Sequence, residues 1–172
     1  DLFNEMNTNP KVCRYLDIPL QHISDQVLKA MKRGHHEKST RALVQKIRET
    51  VPGINLRTTM LVGFPGETQE DFEALQDFVR EARFERMGAF PYSHEKFTSA
   101  YDQLEDNIPK AVKEERLEQL MDLQHDIALE INNSRIGKTL KVIIDGREDG
   151  YYRSRSEFDS PEVDGEILIP DK

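Results

Sequence analysis

Residues 56–71, LRTTMLVGFPGETQED, combine an apolar strand, a glycine-proline-glycine turn and the start of a helix. The apolar run fits a strand that is buried on both faces, as in a parallel sheet. Gly63 and Gly66 allow the backbone to turn sharply, and Thr68 with Asp71 three residues later forms an acidic variant of the capping box. Ligands of α/β proteins usually bind outside the carboxyl ends of such strands. The stretch therefore predicts either a polar-ligand site or a well-made turn without chemistry.

Strands and helices alternate along the first two thirds of the chain. The predicted strands are 14–20, 56–63 and 86–92, and the predicted helices are 24–32, 39–50, 69–82 and 109–136. Residues 94–108 read as a polar loop, and 139–145 and 166–169 as strands around a turn-rich, charged middle. The alternation favours parallel βαβ units and an α/β fold. The long final helix is expected to dock through an apolar stripe of Leu117, Leu120, Met121, Ile127 and Ile131.

Composition narrows the class of protein further. A hydrophobic content of 37% with 33% charged residues is low for a self-contained α/β core and suits part of a larger barrel. The sequence has no apolar run long enough for a membrane span and no signal-peptide pattern. Its one cysteine, Cys13, offers no disulfide framework, which fits a cytoplasmic location. Just before a strand, Cys13 is expected to be a small buried hydrophobe.

The chain is acidic, with a net charge of −8. Residues 138–172 hold six basic and nine acidic side chains. Phosphate contacts need a basic surface, so direct binding to nucleic acid is not expected. An acidic segment favours a basic protein partner through charge complementarity, with a merely solubilising acidic surface as the alternative.

Four segments together resemble the radical S-adenosylmethionine (SAM) methylthiotransferases. VGFPGET at 62–68 closely matches the turn after their fifth barrel strand, and DIPLQHISDQVLKAMKR at 17–33 resembles their fourth-strand signature. MGAFPYSHEKFT at 87–98 resembles the sixth-strand segment, and 115–146 resembles the linker helix that leads into a TRAM β-domain. The PLQHIS string is similar to the RimO family, whereas transfer-RNA-modifying relatives usually carry a PVQSGS-like string.

The resemblance implies a domain plan and an activity. Residues 1–108 would be the carboxyl-terminal half of a TIM-like radical SAM barrel, 109–137 the linker helix, and 138–172 a truncated TRAM-like β-domain. The full-length protein would use SAM and [4Fe–4S] clusters to add a methylthio group to an aspartate of ribosomal protein S-twelve in the small ribosomal subunit. Two alternatives stay open. One is a transfer RNA methylthiotransferase, against which the PLQH string and acidic tail argue, and the other is a non-catalytic protein-binding module.

One departure from the family concerns the cluster. The CxxxCxxC triad is absent from these 172 residues, and a [4Fe–4S] cluster takes thiolates from several cysteines. The chain is therefore expected to be a fragment that is inactive by itself and holds no metal. His35 and His36 are expected to lie in a solvated loop, because adjacent histidines rarely chelate one ion without further partners.

The resemblance also implies which residues contact the cofactor, all but one of them at a single rim of the barrel. The candidates are Gln21, Arg57, Gly63, Phe64, Pro65, Gly66, Glu67, Pro91, Tyr92 and Ser93. Gln21 would bind the ribose or amino-acid end of SAM, and backbone groups of the Gly63 turn and of residues 91–93 would contact the adenine.

Three of the charged or polar residues carry separate expectations. Glu67 is expected to order the turn and the helix start rather than take part in chemistry. Arg57 would face into the barrel and pair with the cofactor carboxylate, or face outward toward a helix acid such as Glu73. For His22 a cofactor contact and a structural role are equally open. No residue is predicted to be catalytic.

Overall fold

The computed structural model describes residues 2–171. The helices are α1 (Leu2–Thr8), α2 (Asp25–Ala30), α3 (Glu37–Thr50), α4 (Gln69–Ala82), α5 (Ser99–Gln103) and α6 (Lys110–Asn133). The strands are β1 (Tyr15–Gln21), β2 (Asn55–Val62), β3 (Arg86–Pro91), β4 (Val142–Glu148), β5 (Tyr151–Ser156) and β6 (Ile167–Pro170). Most predicted elements are confirmed within a few residues.

The first sheet is parallel, with the strand order β1-β2-β3. Side chains alternate along β2, so Leu56, Met60 and Val62 face one side, where they join a core that includes Phe72 and Phe78 of α4. The other face of β2 is only partly buried. A parallel sheet with helices packed on one face is the arrangement of part of a barrel, and it confirms the predicted α/β class.

The second sheet is antiparallel, with the order β4-β5-β6. Its middle strand β5 falls in the stretch that was predicted to be turn-rich, so that expectation is wrong. The sequence YYRSRS is polar, but as a strand it pairs with β4 on one side and β6 on the other. Its arginines add contacts to neighbouring carboxylates: Arg155 Nε lies 2.9 Å from Asp145 Oδ2, and Arg153 contacts Glu148.

Helix α6 packs against β3, β2 and α4. Its buried stripe contains Leu120 and Ile127, as predicted, but also the polar residues Lys113, Arg116 and Gln124. Gln124 Nε2 donates to the Phe84 carbonyl at 2.9 Å. Among the described residues no helix is long and apolar enough to cross a membrane.

Three local expectations are wrong. Cys13 is exposed, because the segment before β1 runs over the surface. Met121 is 37% exposed, because the docking face of α6 is centred on the stripe through residue 120. The predicted loop 94–108 contains α5, which Thr98 caps by accepting a hydrogen bond from the Tyr101 amide at 3.2 Å.

The two sheets are joined by polar contacts at the amino ends of β2 and β3. Arg86 Nη2 lies 3.0 Å from Asp159 Oδ1, and the side-chain amide of Asn55 donates to the Phe158 carbonyl at 3.1 Å. Arg135, just after α6, donates to Asn55 Oδ1 at 3.0 Å. The second sheet therefore contacts the first sheet at the amino ends of its strands, whereas the Gly63 turn lies at their carboxyl ends.

Candidate functional site

The carboxyl ends of β1 and β2 border a cavity of about 310 Å³. Gln21, Leu61 and Phe64 line one side of it, and residues 30–33 and the α5 region line the other. This volume is at the lower end of the range for small-molecule sites, and the mixed polar and apolar lining is typical of them.

Gln21 adopts a left-handed backbone conformation, with φ 72°. The β1–β2 register shifts between Ile18 and Gln21, and the Thr58 hydroxyl fills the gap, donating to the Ile18 carbonyl at 2.9 Å and accepting from the Leu20 amide at 3.4 Å. A positive φ costs a residue other than glycine about 1–2 kcal/mol. Strain of this kind concentrates at functional sites, and here it turns Gln21 toward the cavity.

Glu67 organises the turn that follows β2. Its Oε2 accepts hydrogen bonds from the amides of Gly63 at 2.8 Å and Phe64 at 3.3 Å, and its Oε1 accepts one from Arg116 Nη1 at 2.7 Å. The Glu67 side chain is fully buried. The role expected from the sequence, ordering the turn, agrees with this geometry.

His22 lies behind the turn and is fully buried. Its Nδ1 accepts the Ser24 amide at 3.0 Å, so the proton of the neutral ring sits on Nε2, which points toward Glu67 Oε2 at 3.6 Å. This distance is too long for a hydrogen bond. The hydrogen bond from Ser24 gives His22 a structural role, and a cofactor contact through Nε2 stays a prediction.

Asp71 ties the β1 loop to the start of α4. It accepts hydrogen bonds from the Ser24 hydroxyl at 2.5 Å and from the Thr68 amide at 2.9 Å, which completes the predicted capping box. Burial raises the pKa of Asp71, but the hydrogen bonds from Ser24 and Thr68 outweigh it, so the pKa lies below the ordinary value. The carboxylate therefore stabilises both turns in its ionised form.

The two glycines of the turn have different surroundings. Gly63 has φ +71°, and a Cβ there would overlap the side-chain stem of Lys113. Gly66 has φ +84°, and a Cβ there would meet nothing within 4 Å. Lys113 of α6 therefore packs directly against Gly63, while a Cβ at Gly66 would meet open space.

Residues 91–93 border a second cavity, of about 370 Å³, with His94, Asp106 and Lys113. The Tyr92 amide extends the sheet by donating to the Val62 carbonyl at 2.8 Å. The Tyr92 ring meets the Phe64 ring edge-on, with centroids 5.0 Å apart. Burial, with Asp106 and Glu95 nearby, raises the pKa of Tyr92. Five of the ten predicted cofactor residues, Gln21, Phe64, Pro91, Tyr92 and Ser93, thus line one or the other of two cavities, whose walls meet where the Phe64 and Tyr92 rings touch. Gly63, Pro65, Gly66 and Glu67 of the turn, and Arg57, line neither of these two cavities.

Arg57 lies apart from the other candidates. It is five residues before Val62, about 16 Å from the rim at 3.3 Å per residue. Its guanidinium pairs with Asp17 and lies 3.9 Å from Asp164 Oδ1 of the second sheet's loop. The alternative partner Glu73 instead accepts from Gln69. The outward alternative with Glu73 is therefore wrong, because Asp17 and Asp164 are the carboxylates that face this arginine. The pairing of Arg57 with a cofactor carboxylate stays a prediction.

Sequence reasoning missed Lys113 and Arg116, which reach the two turns from α6. Lys113 Nζ donates to Asp106 at 2.7 Å and to the Tyr92 carbonyl at 3.3 Å. Both residues lie on the same face of α6 as Leu120, seven and four residues before it. This helical spacing is a sequence signal that predicts their burial at the start of the docking stripe.

Within residues 2–171 no group of histidine, cysteine and acidic side chains is arranged to hold a metal ion. His35 instead hydrogen-bonds Thr40 at 3.0 Å.

Comparison with known proteins gives matches along nearly the whole chain. The Radical SAM superfamily model matches residues 1–79 and the TRAM domain model matches 136–172. The ribosomal protein uS12 methylthiotransferase RimO of Bacteroides thetaiotaomicron is 56% identical over 98% of this chain and 39% of that protein. The protein of the same name from Flavobacterium psychrophilum is 51% identical over the same shares. The chain thus spans about two fifths of the length of these relatives.

One solved structure is similar in fold. Escherichia coli coproporphyrinogen III oxidase, HemN, described as a radical SAM enzyme, superposes with a TM-score of 0.52 at 21% identity. The match covers 69% of this chain and 26% of that chain. At this identity the match shows a likeness in fold and nothing finer.

Proposed function

We infer that this chain, which belongs to the RimO family of radical SAM methylthiotransferases, supplies part of the SAM site of an enzyme that methylthiolates an aspartate of ribosomal protein uS12. The observation that carries the proposal is 56% identity to one such enzyme over 98% of the chain, a span that includes the whole Gln21–Gly63–Tyr92 rim. Residues 1–108 would be barrel, 109–137 linker helix and 138–172 the start of a TRAM-like domain.

The rim residues fit an adenosine-containing cofactor. Gln21 offers an amide at the wall of one cavity, and Phe64 and Tyr92 offer aromatic surface to the two cavities. Bound SAM, with a reduced [4Fe–4S] cluster, would supply the one-electron chemistry that activates a C–H bond of the substrate. The residues of this chain would bind the nucleoside and orient it. Arg57 is left out of the proposed contacts because its charge is already neutralised.

The cluster does not fit the residues of this chain. Cys13 is its one cysteine and lies exposed before the amino end of β1, at the opposite end of the strand from Gln21. The thiolates for a cluster would come from outside these 172 residues. We therefore propose that the chain alone forms no 5′-deoxyadenosine from SAM.

The proposed partner is uS12. The proposed location of the reaction is the cytoplasm. Both relatives cited carry that substrate in their names, which supports it over transfer RNA. Two acidic residues of the segment 138–172 are not free to attract a basic partner. Asp159 pairs with Arg86, and Asp164 lies beside Arg57. Glu157 and Glu162 are exposed and are the proposed steering charges.

The activity test uses the full-length gene product that contains this chain. After anaerobic reconstitution it is incubated with SAM, a reductant, a sulfur source and either uS12 or transfer RNA. Tandem mass spectrometry should locate one methylthio group on an aspartate of uS12. Methylthiolated nucleosides in the transfer RNA digest, with unmodified uS12, would replace the proposal with the alternative substrate.

The steering charges are tested by binding kinetics. Changing Glu157 and Glu162 to lysine should slow association with uS12 at low salt and leave SAM affinity unchanged. The matched control changes Glu118 and Asp122, exposed on α6, by the same total charge. Equal slowing in both variants would show that only the net charge matters.

A further inference from the structure

Helix α6 carries a buried arginine that contacts the turn after β2. Arg116 is 7% exposed. Its Nη1 donates to Glu67 Oε1 at 2.7 Å and to the Glu67 carbonyl at 3.3 Å, and its guanidinium stacks over Phe72 with 5.5 Å from Cζ to the ring centroid. A buried arginine with one carboxylate partner holds that partner in a fixed place.

The carboxylate that Arg116 holds is the acceptor for two backbone amides of the turn. Glu67 uses one oxygen for Arg116 and the other for Gly63 and Phe64. Phe64 in turn lines the cavity beside Gln21. A shift of the Glu67 carboxylate would therefore release the amides and move the wall formed by Phe64.

We propose that Arg116 is a positioning residue for the SAM site, which acts through Glu67 to fix the Gly63–Phe64 backbone and with it the aromatic wall of the cavity. The inference rests on the proposed function, since it takes SAM as the ligand. Helix α6 lies outside the rim of the cavity. The inference nevertheless gives this helix a part in cofactor binding, through Arg116.

Docking of α6 does not depend on this arginine alone. Leu120 and Ile127 bury the middle of the helix in the core, and Arg83 at the end of α4 pairs with Glu130 at 2.7 Å. The Arg83–Glu130 pair also joins α6 to α4 but lies on the surface and away from the turn. It provides a matched control in which an arginine contact of α6 is lost without any effect on Glu67.

The test compares Arg116→Gln, Arg116→Lys and the control Arg83→Gln in the full-length gene product. SAM affinity is measured by calorimetric titration, melting by circular dichroism, and amide exchange of the segment 61–70 by mass spectrometry. Arg116→Gln should weaken SAM binding by about tenfold. In metal sites, loss of a residue that supports a ligand lowers affinity by about 10- to 100-fold, and the expected effect is at the low end of that range. It should also speed exchange at Gly63 and Phe64. Arg116→Lys, which keeps a cation, should recover part of both, and Arg83→Gln should change neither.

Loss of Arg116 leaves a buried carboxylate without its cation, which is strongly destabilising. If Arg116→Gln does not fold, the double variant Glu67→Gln/Arg116→Gln takes its place, because it buries a neutral pair and still offers one amide oxygen to the turn. A neutral acceptor holds the amides more weakly than a carboxylate, so SAM binding should again fall.

The outcomes separate this inference from the proposed function. A folded variant with the SAM affinity and amide exchange of the wild type overturns the positioning role, and lower melting alone would show that Arg116 only stabilises the fold. If the wild-type protein itself does not bind SAM, the proposed function fails. The exchange comparison at Gly63 and Phe64 then still decides whether Arg116 fixes the turn.

Discussion

Replacing Gly63 with alanine tests whether the turn is built around the side chain of Lys113. At φ +71° an alanine costs about 1–2 kcal/mol in backbone strain. Its Cβ would also displace the stem of Lys113, whose Nζ binds Asp106 at 2.7 Å and the Tyr92 carbonyl at 3.3 Å. Loss of a hydrogen bond to a charged group costs about 1.5–3 kcal/mol. The total expected loss in the free energy of unfolding is about 3–5 kcal/mol.

Gly66→Ala is the matched control. Gly66 has a similar φ of +84°, but its Cβ would meet open space, so only the strain of about 1–2 kcal/mol applies. The difference of about 2 kcal/mol between the two variants corresponds to about 4–8 °C in melting temperature for a chain of this size. Thermal unfolding followed by circular dichroism resolves this difference.

A double-variant cycle identifies the cause of the larger loss. In a Lys113→Ala background the stem is gone, so Gly63→Ala should cost only the strain, about 1–2 kcal/mol. Equal costs at Gly63 and Gly66, or an unchanged cost of Gly63→Ala in the Lys113→Ala background, would refute the packing argument.

Three further predictions concern other parts of the site. The folded-state pKa of Asp71 lies below the ordinary 3.8, so its stabilising contribution is present above about pH 4 and is lost as the pH falls below it. Asp71→Asn should therefore cost about 1–2 kcal/mol at pH 7 in urea unfolding, and its deficit relative to wild type should shrink near pH 3, whereas the surface variant Asp77→Asn should stay near wild type throughout. Gln21→Gly should relieve the positive φ and raise stability by up to about 1 kcal/mol while weakening SAM binding; tighter binding would mean that the side chain is not a contact. Arg86→Gln should leave the buried Asp159 without its cation and speed limited proteolysis at residues 134–141, and cleavage no faster than in the Asp77→Asn control would contradict the interface described here.

The part of the fold that was predictable from sequence is the part with local signals. Helix α4 begins after Thr68 and ends at Ala82 as predicted, because the capping box and the apolar spacing both lie within its own residues. The strand before it ends in the apolar residues Met60, Leu61 and Val62, which marks it as a strand, but its burial alternates along the chain, so the expectation of a strand buried on both faces is wrong. Such signals fix elements one at a time and place the rim at the carboxyl ends of the strands.

What sequence reasoning missed depends on long-range pairs or on polar strands. Arg116 and Glu67 are 49 residues apart, and nothing near either residue marks the contact. The bulge that sets the φ of Gln21 depends on a hydroxyl from another strand, at Thr58. Strand β5 carries a usable signal, an Asp-Gly dipeptide at 149–150, but its polar sequence with alternating arginines favours a loop.

The polar seam between the two sheets has a consequence for how this architecture can be recombined. Arg57 and Arg86 of the first sheet meet Asp164 and Asp159 of the loop 157–166. A carboxyl-terminal segment transplanted from a relative would thus lose these ion pairs unless its loop brought acids to the same two arginines. Chimeras that exchange 138–172 alone should fail more often than chimeras that carry both halves of the seam together.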